Sequence, residues 1–329
     1  MKKKWMSIVI VAGLALSCMT VVADGDHSDD VVVRVGSLKG PTSMGLVSMM
    51  EENEKDDDKD YEFTMVTAAD ELLPQIISGQ IDIALIPANV ASVLYNKMGG
   101  ELSVIDINTL GVLYAVSGDD TLTGIGGLKG RTIYLTGKGT TPDYVLRYLL
   151  EQNGIGLDEV TLEYKSEATE VAAVLAETPD AVGILPQPFV TVATTKNEAL
   201  KPVIDLTQEW DELNVETGSR LVTGVTVVRN EFLEKYEDEV QDFVEDHMES
   251  TAFINSHVEE GAELVEKVGI IEKAAIAQKA IPYCNIVCIT GEEMKEALSG
   301  YLGVLYDMAP ESVGGELPDD TFYWTYVED

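Results

Sequence analysis

Short β-branched blocks alternate along this chain with longer stretches in which apolar residues return every three or four positions. The blocks predict strands at Val31 to Gly36, Tyr61 to Val66, Ile81 to Pro87, Thr109 to Ser117, Arg131 to Leu135, Val160 to Tyr164, Ala181 to Leu185, Val203 to Leu206 and Leu221 to Arg229, with helices between them. From Asn230 onward the spacing is helical. Phe232, Tyr236, Val240, Phe243, Val244 and Met248 share one face, and acidic residues take the other. Such alternation of strand and helix predicts an α/β fold built on parallel sheets.

The chain also echoes itself at an offset of 99 residues. Lys39-Gly40-Pro41-Thr42 falls on Lys138-Gly139-Thr140-Thr141, and Ile83-Ala84-Leu85-Ile86-Pro87 on Val182-Gly183-Ile184-Leu185-Pro186, with Asp82 one residue before the first of these strands and Asp180 two before the second. Two copies are too few for a solenoid, for which at least three are expected. They predict two similar lobes, each a mostly parallel sheet flanked by helices.

Ligands of open parallel sheets bind beyond the carboxyl ends of the strands, where all four matched turns fall. The candidate binding residues follow from chemistry. Gly40 and Gly139 admit close backbone approach, and Pro41, Thr42, Ser43, Thr140 and Thr141 open helices whose amides and hydroxyls favour a polar or anionic group. Helix capping is the ordinary role of each Ser or Thr taken alone. Lys39 and Lys138 add positive charge at the same edges. Beyond the paired prolines Pro87 and Pro186, Asn89 and Gln187 offer hydrogen bonds, and Tyr144 or Phe189 a stacking surface. Phe189 lies in an apolar run, where core packing is the commoner fate.

Composition then bounds the partners. Lys2, Lys3 and Lys4 precede an apolar run from Trp5 to Leu16, too short to span a bilayer, so residues 1–23 read as a secretory signal and 24–30 as a linker. Cleavage after Ala23 competes with a lipoprotein reading in which Cys18 is the lipid attachment site. The formal charge is −36, and −39 without the three lysines, which repels nucleic acid and anionic lipid. The acidic run from Glu51 to Asp60 reads as a solvated loop rather than a metal site. Cys284 and Cys288, four apart in a β-branched segment, would lie about 13 Å apart in a strand. They are expected as unpaired thiols, neither a disulfide nor a zinc motif.

Catalytic signatures are not found. The glycines of 124–130 lack dinucleotide spacing, Gly137-Lys138-Gly139-Thr140-Thr141 lacks the upstream glycine of a phosphate loop, and His27, His247 and His257 form no recognisable triad or metal pair. The expectation is a monomer with no cofactor, no metal and no catalysis.

Gly127-Leu128-Lys129-Gly130-Arg131-Thr132-Ile133, the turn 136–141, Pro179-Asp180-Ala181 through Phe189, and Phe232-Leu233-Glu234-Lys235-Tyr236 together resemble the NitT/TauT and SsuA/THI5-like substrate-binding proteins of ABC importers. The resemblance covers Val31 to about Leu305. It implies a type II periplasmic-binding-protein fold in which the chain crosses twice between lobes, near Ser117 to Thr121 and Gly218 to Val225. The first lobe is then 31–117 with 222–329, and the second 118–221, joined by a two-stranded hinge. It further implies capture of a small-molecule solute and delivery to an ABC permease and its ATPase. Leu185-Pro186-Gln187-Pro188-Phe189 stands where the family often has Trp-Glu-Pro-Phe, so no particular solute transfers. Enzymes resembling the menaquinone-pathway and thiamin-precursor proteins, and a ligand-sensing surface lipoprotein, are the alternatives on the same fold.

Overall fold

Eleven strands of the described residues form two sheets. They are β1 (Val33–Leu38), β2 (Tyr61–Val66), β3 (Ile83–Pro87), β4 (Leu102–Leu110), β5 (Leu113–Ser117), β6 (Thr132–Thr136), β7 (Thr161–Lys165), β8 (Val182–Pro186), β9 (Lys201–Asp205), β10 (Val222–Arg229) and β11 (Ile286–Ile289). The helices are α1 (Pro41–Met44), α2 (Val47–Lys55), α3 (Ala69–Ile77), α4 (Ala88–Met98), α5 (Thr141–Gln152), α6 (Ala168–Glu177), α7 (Phe189–Lys196), α8 (Leu206–Leu213), α9 (Asn230–Lys235), α10 (Glu237–Ser256), α11 (Val258–Lys267), α12 (Ala274–Ala280) and α13 (Gly291–Met308). This computed structural model describes residues 31–56 and 59–325. The expected signal segment, Cys18 and the linker 24–30 lie outside them.

The first sheet runs β11-β4-β10-β3-β1-β2 and the second β7-β6-β8-β5-β9. Both contain the same core arrangement. A parallel trio (β2-β1-β3 or β7-β6-β8) is extended by one antiparallel strand, β10 on β3 and β5 on β8. Pro87 pairs with Gly224, and Pro186 with Leu113, so the matched prolines hold equivalent register. The sequence echo is therefore a structural one. Because β5 and β10 arrive from crossovers rather than from βαβ turns, both sheets are mixed instead of mostly parallel.

The expected single strand Thr109 to Ser117 is two strands in different sheets. Gly111 and Val112 separate them, so the first crossing precedes Ser117, and β5 belongs to the second sheet. Gly111 turns there because nothing larger fits: a Cβ would stand 2.2 Å from Thr207 Oγ1 and 2.7 Å from a Leu221 methyl. Asn285, in the left-handed region at φ 45, secures the same point. Its carbonyl accepts from Leu110 N at 3.0 Å, and its Nδ2 donates to Gly111 O at 2.5 Å. The return passage runs from Asp205 through α8 to Val222.

All of these elements lie in one compact unit, Val32–Asp329. One apolar core passes through both sheets, from Leu72, Ile86 and Val227 to Leu113, Ile184 and Ile204. Where α5, α8 and α13 meet, Trp210 is buried between Tyr148 and Tyr301, with ring centroids 4.5 and 5.6 Å away. Aromatic burial of this kind dominates local packing. Cys284 and Cys288 are unpaired, and Cys284 lies outside β11. Burial pushes its thiol up to about 12.

Candidate ligand-binding site

The four matched turns follow the carboxyl ends of β1, β3, β6 and β8 and open α1, α4, α5 and α7. Gly40 has φ 147 and ψ −157, and Gly139 has φ 72, conformations that side chains rarely accept. Both glycines face open space, with nothing within 4 Å of a Cβ at Gly40 and only the Tyr144 hydroxyl, at 3.9 Å, near one at Gly139.

In the first turn, Lys39 is exposed and its backbone N–H donates to Val66 O at 2.8 Å. Pro41 begins α1, where its missing N–H costs nothing. Thr42 Oγ1 donates to Leu38 O at 3.0 Å. Ser43 Oγ lies 2.5 Å from the same carbonyl and 2.7 Å from Ser37 Oγ. These hydroxyls are thus occupied locally by the carbonyl that ends β1, and neither caps α1. Thr42 also turns its methyl toward the return strand, since a Cβ at Gly224 would lie 2.6 Å from it and 2.4 Å from Asn108 Oδ1. Asn108 and Gly224 of the first sheet therefore pack against this turn, and no sequence motif marks them.

The second turn is filled differently. Asp143 Oδ2 accepts the Gly139 N–H at 2.9 Å, and Oδ1 takes Arg147 Nε at 2.5 Å and the Tyr164 hydroxyl at 2.7 Å. The anion-seeking amide of this helix start is satisfied by the protein's own carboxylate. Lys138 Nζ is 5.5 Å from the centroid of the Tyr164 ring, an exposed cation–π contact. Thr140 Oγ1 donates to Gly137 O at 2.6 Å. Thr141 faces the buried hydroxyl of Tyr301 on α13.

At the remaining turns, Asn89 Nδ2 donates to Ser312 O at 3.3 Å and braces the 3-10 turn Pro310–Val313. Gln187 is buried, and its Oε1 accepts from Thr191 Oγ1 at 2.8 Å. Phe189, for which the apolar run favours core packing, is instead 36% exposed at the start of α7. Tyr144 lies near α13 and Glu311, and its hydroxyl is pushed up by burial, then by Glu311 and Asp143.

Two grooves flank the junction of the halves. One, of about 740 Å³, is lined by Tyr114, Gln187, Thr191, Asp205, Lys279 and Tyr283 among others. Tyr114 on β5 donates to Tyr283 O at 3.2 Å, and burial holds its hydroxyl protonated well beyond the usual tyrosine range. The other, of about 880 Å³, separates α5 from α13 and holds Tyr144 and Arg147. Both volumes suit small solutes. Neither groove is lined by Lys39 or Lys138. The first combines aromatic, amide and hydroxyl groups with one lysine and one carboxylate, a lining suited to a polar organic molecule.

The comparisons with known proteins bear on the fold and the family. A Brucella abortus protein named as a candidate binding protein is 23% identical over 307 residues, covering 91% of this chain and 90% of its own. The crystal structure of an ABC transporter from Parabacteroides distasonis superimposes with a TM-score of 0.75 at 27% identity, over 89% of this chain and 98% of the other. The periplasmic aliphatic sulphonate binding protein SsuA of Escherichia coli matches with a TM-score of 0.70 at 15% identity, over 91% of this chain and 94% of its own. A family profile described as menaquinone biosynthesis matches residues 33–306. The fold is that of the periplasmic binding proteins, and the chain belongs to the menaquinone biosynthesis family.

Proposed function

We propose that the chain is the extracytoplasmic solute-binding component of an ABC importer, which captures a small polar or anionic organic solute between two lobes and catalyses no reaction. The supporting observation is the set of four equivalent turns at the carboxyl edges of two equivalent sheets, with Gln187 lining an inter-sheet groove. Such paired edges hold a ligand when lobes close about a hinge. Export fits the basic and apolar start of the sequence, with release after Ala23 or lipid attachment at Cys18. No helix of the described residues is long and apolar enough to cross a membrane. The monomer then meets its permease by diffusion or from a lipid tether.

A thermal-shift screen of sulfonates, carboxylates, pyrimidines and vitamin precursors tests the reading. A ligand of the folded state raises the melting temperature with occupancy. Solution scattering should then show compaction. A broad screen with neither response removes the proposal. The family match favours a second reading, an enzyme acting on a menaquinone precursor. Mass analysis of each hit after long incubation separates the two: a bound ligand recovered unchanged supports transport, and its conversion supports the enzyme.

A further inference from the structure

Away from the grooves, three side chains from distant parts of the sequence meet inside the first half. Asp106 on β4, His247 on α10 and Cys288 on β11 each place one donor atom within 4.8 Å of the other two. Asp106 and His247 are fully buried, with His247 Nδ1 3.2 Å from Asp106 Oδ2. Cys288 sits in the register slip between Ile286 and Ile289, and bulges of this kind re-aim a side chain. The other carboxylate oxygen of Asp106 is fixed by Thr226 Oγ1 at 2.8 Å, which itself accepts from Asn108 Nδ2 at 3.2 Å.

We propose that Asp106, His247 and Cys288 form a site for one divalent cation of the zinc class, bracing α10 on the first sheet. The protein's own groups leave part of this cluster unpartnered. His247 Nε2 is buried without a hydrogen-bond partner, while Nδ1 faces the buried Asp106 carboxylate and the Cys288 sulfur. A dication here would have three donors from three different elements. It takes the Asp106 carboxylate, the Cys288 thiolate and the Nδ1 lone pair, so the site is electrically neutral. The imidazole proton moves to Nε2, on the side where the Thr251 hydroxyl, also unpartnered, faces Gly45 with it. The thiol proton leaves to solvent.

The chemistry of the donors selects the metal. Thiolate and imidazole suit zinc rather than calcium or magnesium. The 3.2 Å between Nδ1 and Oδ2 is close to the edge of a tetrahedral zinc site, roughly 3.3 Å from its bond lengths.

The test uses the full chain, unfolded in chelator and refolded with cobalt(II) or zinc(II). The cobalt protein should show a thiolate-to-metal charge-transfer band at one equivalent, retained in Cys284→Ser and lost in Cys288→Ser. His247→Gln should weaken zinc by at least about tenfold, the loss typical even of an outer partner. Zinc should raise the melting temperature of the parent protein above that in chelator. The parent-protein measurements stand even where a variant does not fold. A parent protein without the band, a band that survives Cys288→Ser, or equal melting in zinc and chelator overturns the proposal.

Discussion

Trp210 on α8 and Tyr301 on α13 pack ring against ring, centroids 5.6 Å apart, and so hold the two sheets of the molecule to one another. Trp210 is fully buried, and its indole N–H donates to Ser219 Oγ at 3.3 Å. Trp210→Ala should therefore cost about 3–5 kcal/mol in urea denaturation, the range for truncating a buried aromatic. Tyr301→Phe keeps the ring contact and removes only the hydroxyl that faces Thr141, so no more than about 0.5–1.5 kcal/mol should be lost. A Trp210→Ala loss no larger than that of Tyr301→Phe would show that the ring contact does not join the halves.

Two glycine-to-alanine substitutions should have opposite signs. Gly45 has an ordinary helical backbone, φ −64 and ψ −18, so no torsional strain forbids alanine. A Cβ there would meet His247 Nε2 at 2.9 Å and Thr251 Oγ1 at 3.0 Å. Overpacking of this kind costs about 1–3 kcal/mol. Gly303, inside α13, has nothing within 4 Å of its Cβ position. Gly303→Ala should stabilise by about 0.5–1 kcal/mol through lost freedom of the unfolded chain. Chemical denaturation of both variants checks the pair.

The periodic pattern made most of the fold legible, because burial imposes it on local sequence. Strands β1, β2, β3, β6, β7 and β8 fall where β-branched blocks stand, and the 99-residue echo marks equivalent register at Pro87 and Pro186. The residues of β4 before Thr109 escaped, since Asp106 and Asn108 interrupt its apolar run. Those polar residues are buried and hydrogen-bonded to Thr226, a relation visible only after β10 returns beside β4. The break at Gly111 was hidden for a similar reason: the obstacle is Thr207 and Leu221, remote in sequence. Asp106, His247 and Cys288 likewise share no short spacing, and only tertiary packing assembles them.

Asp119 should be the carboxylate most readily followed in acid. The Thr121 hydroxyl, then Arg131 at 2.7 Å, hold its ionised form and lower it to about 2. A depressed carboxylate contributes stability above its unfolded value near 3.9, and the contribution disappears as pH falls toward about 2. Carbon-detected NMR titration should place the midpoint there. Thr121→Val should raise it most, and Arg131→Gln less, following the order of causes. An ordinary midpoint in the parent protein would contradict this local arrangement.

The two Lys-Gly turns should contribute unequally to any anionic ligand found by thermal shift. At the second turn, Asp143 already takes the Gly139 N–H, and Lys138 rests over Tyr164. At the first, Lys39 is exposed and Gly40 faces open space. With a whole-chain charge of −36 opposing an anion, local cations must supply the attraction. Lys39→Ala should then weaken binding by about 1–3 kcal/mol at low salt, as expected for a charge-assisted bond. Lys138→Ala should cost less, because a cation–π contact already engages its ammonium. Calorimetry at two ionic strengths reads both effects, with unfolding curves guarding against a folding defect. If both variants bind like the parent protein at low salt, the ligand is not held through these lysines, and the groove lined by Gln187 and Tyr283 becomes the place to substitute next.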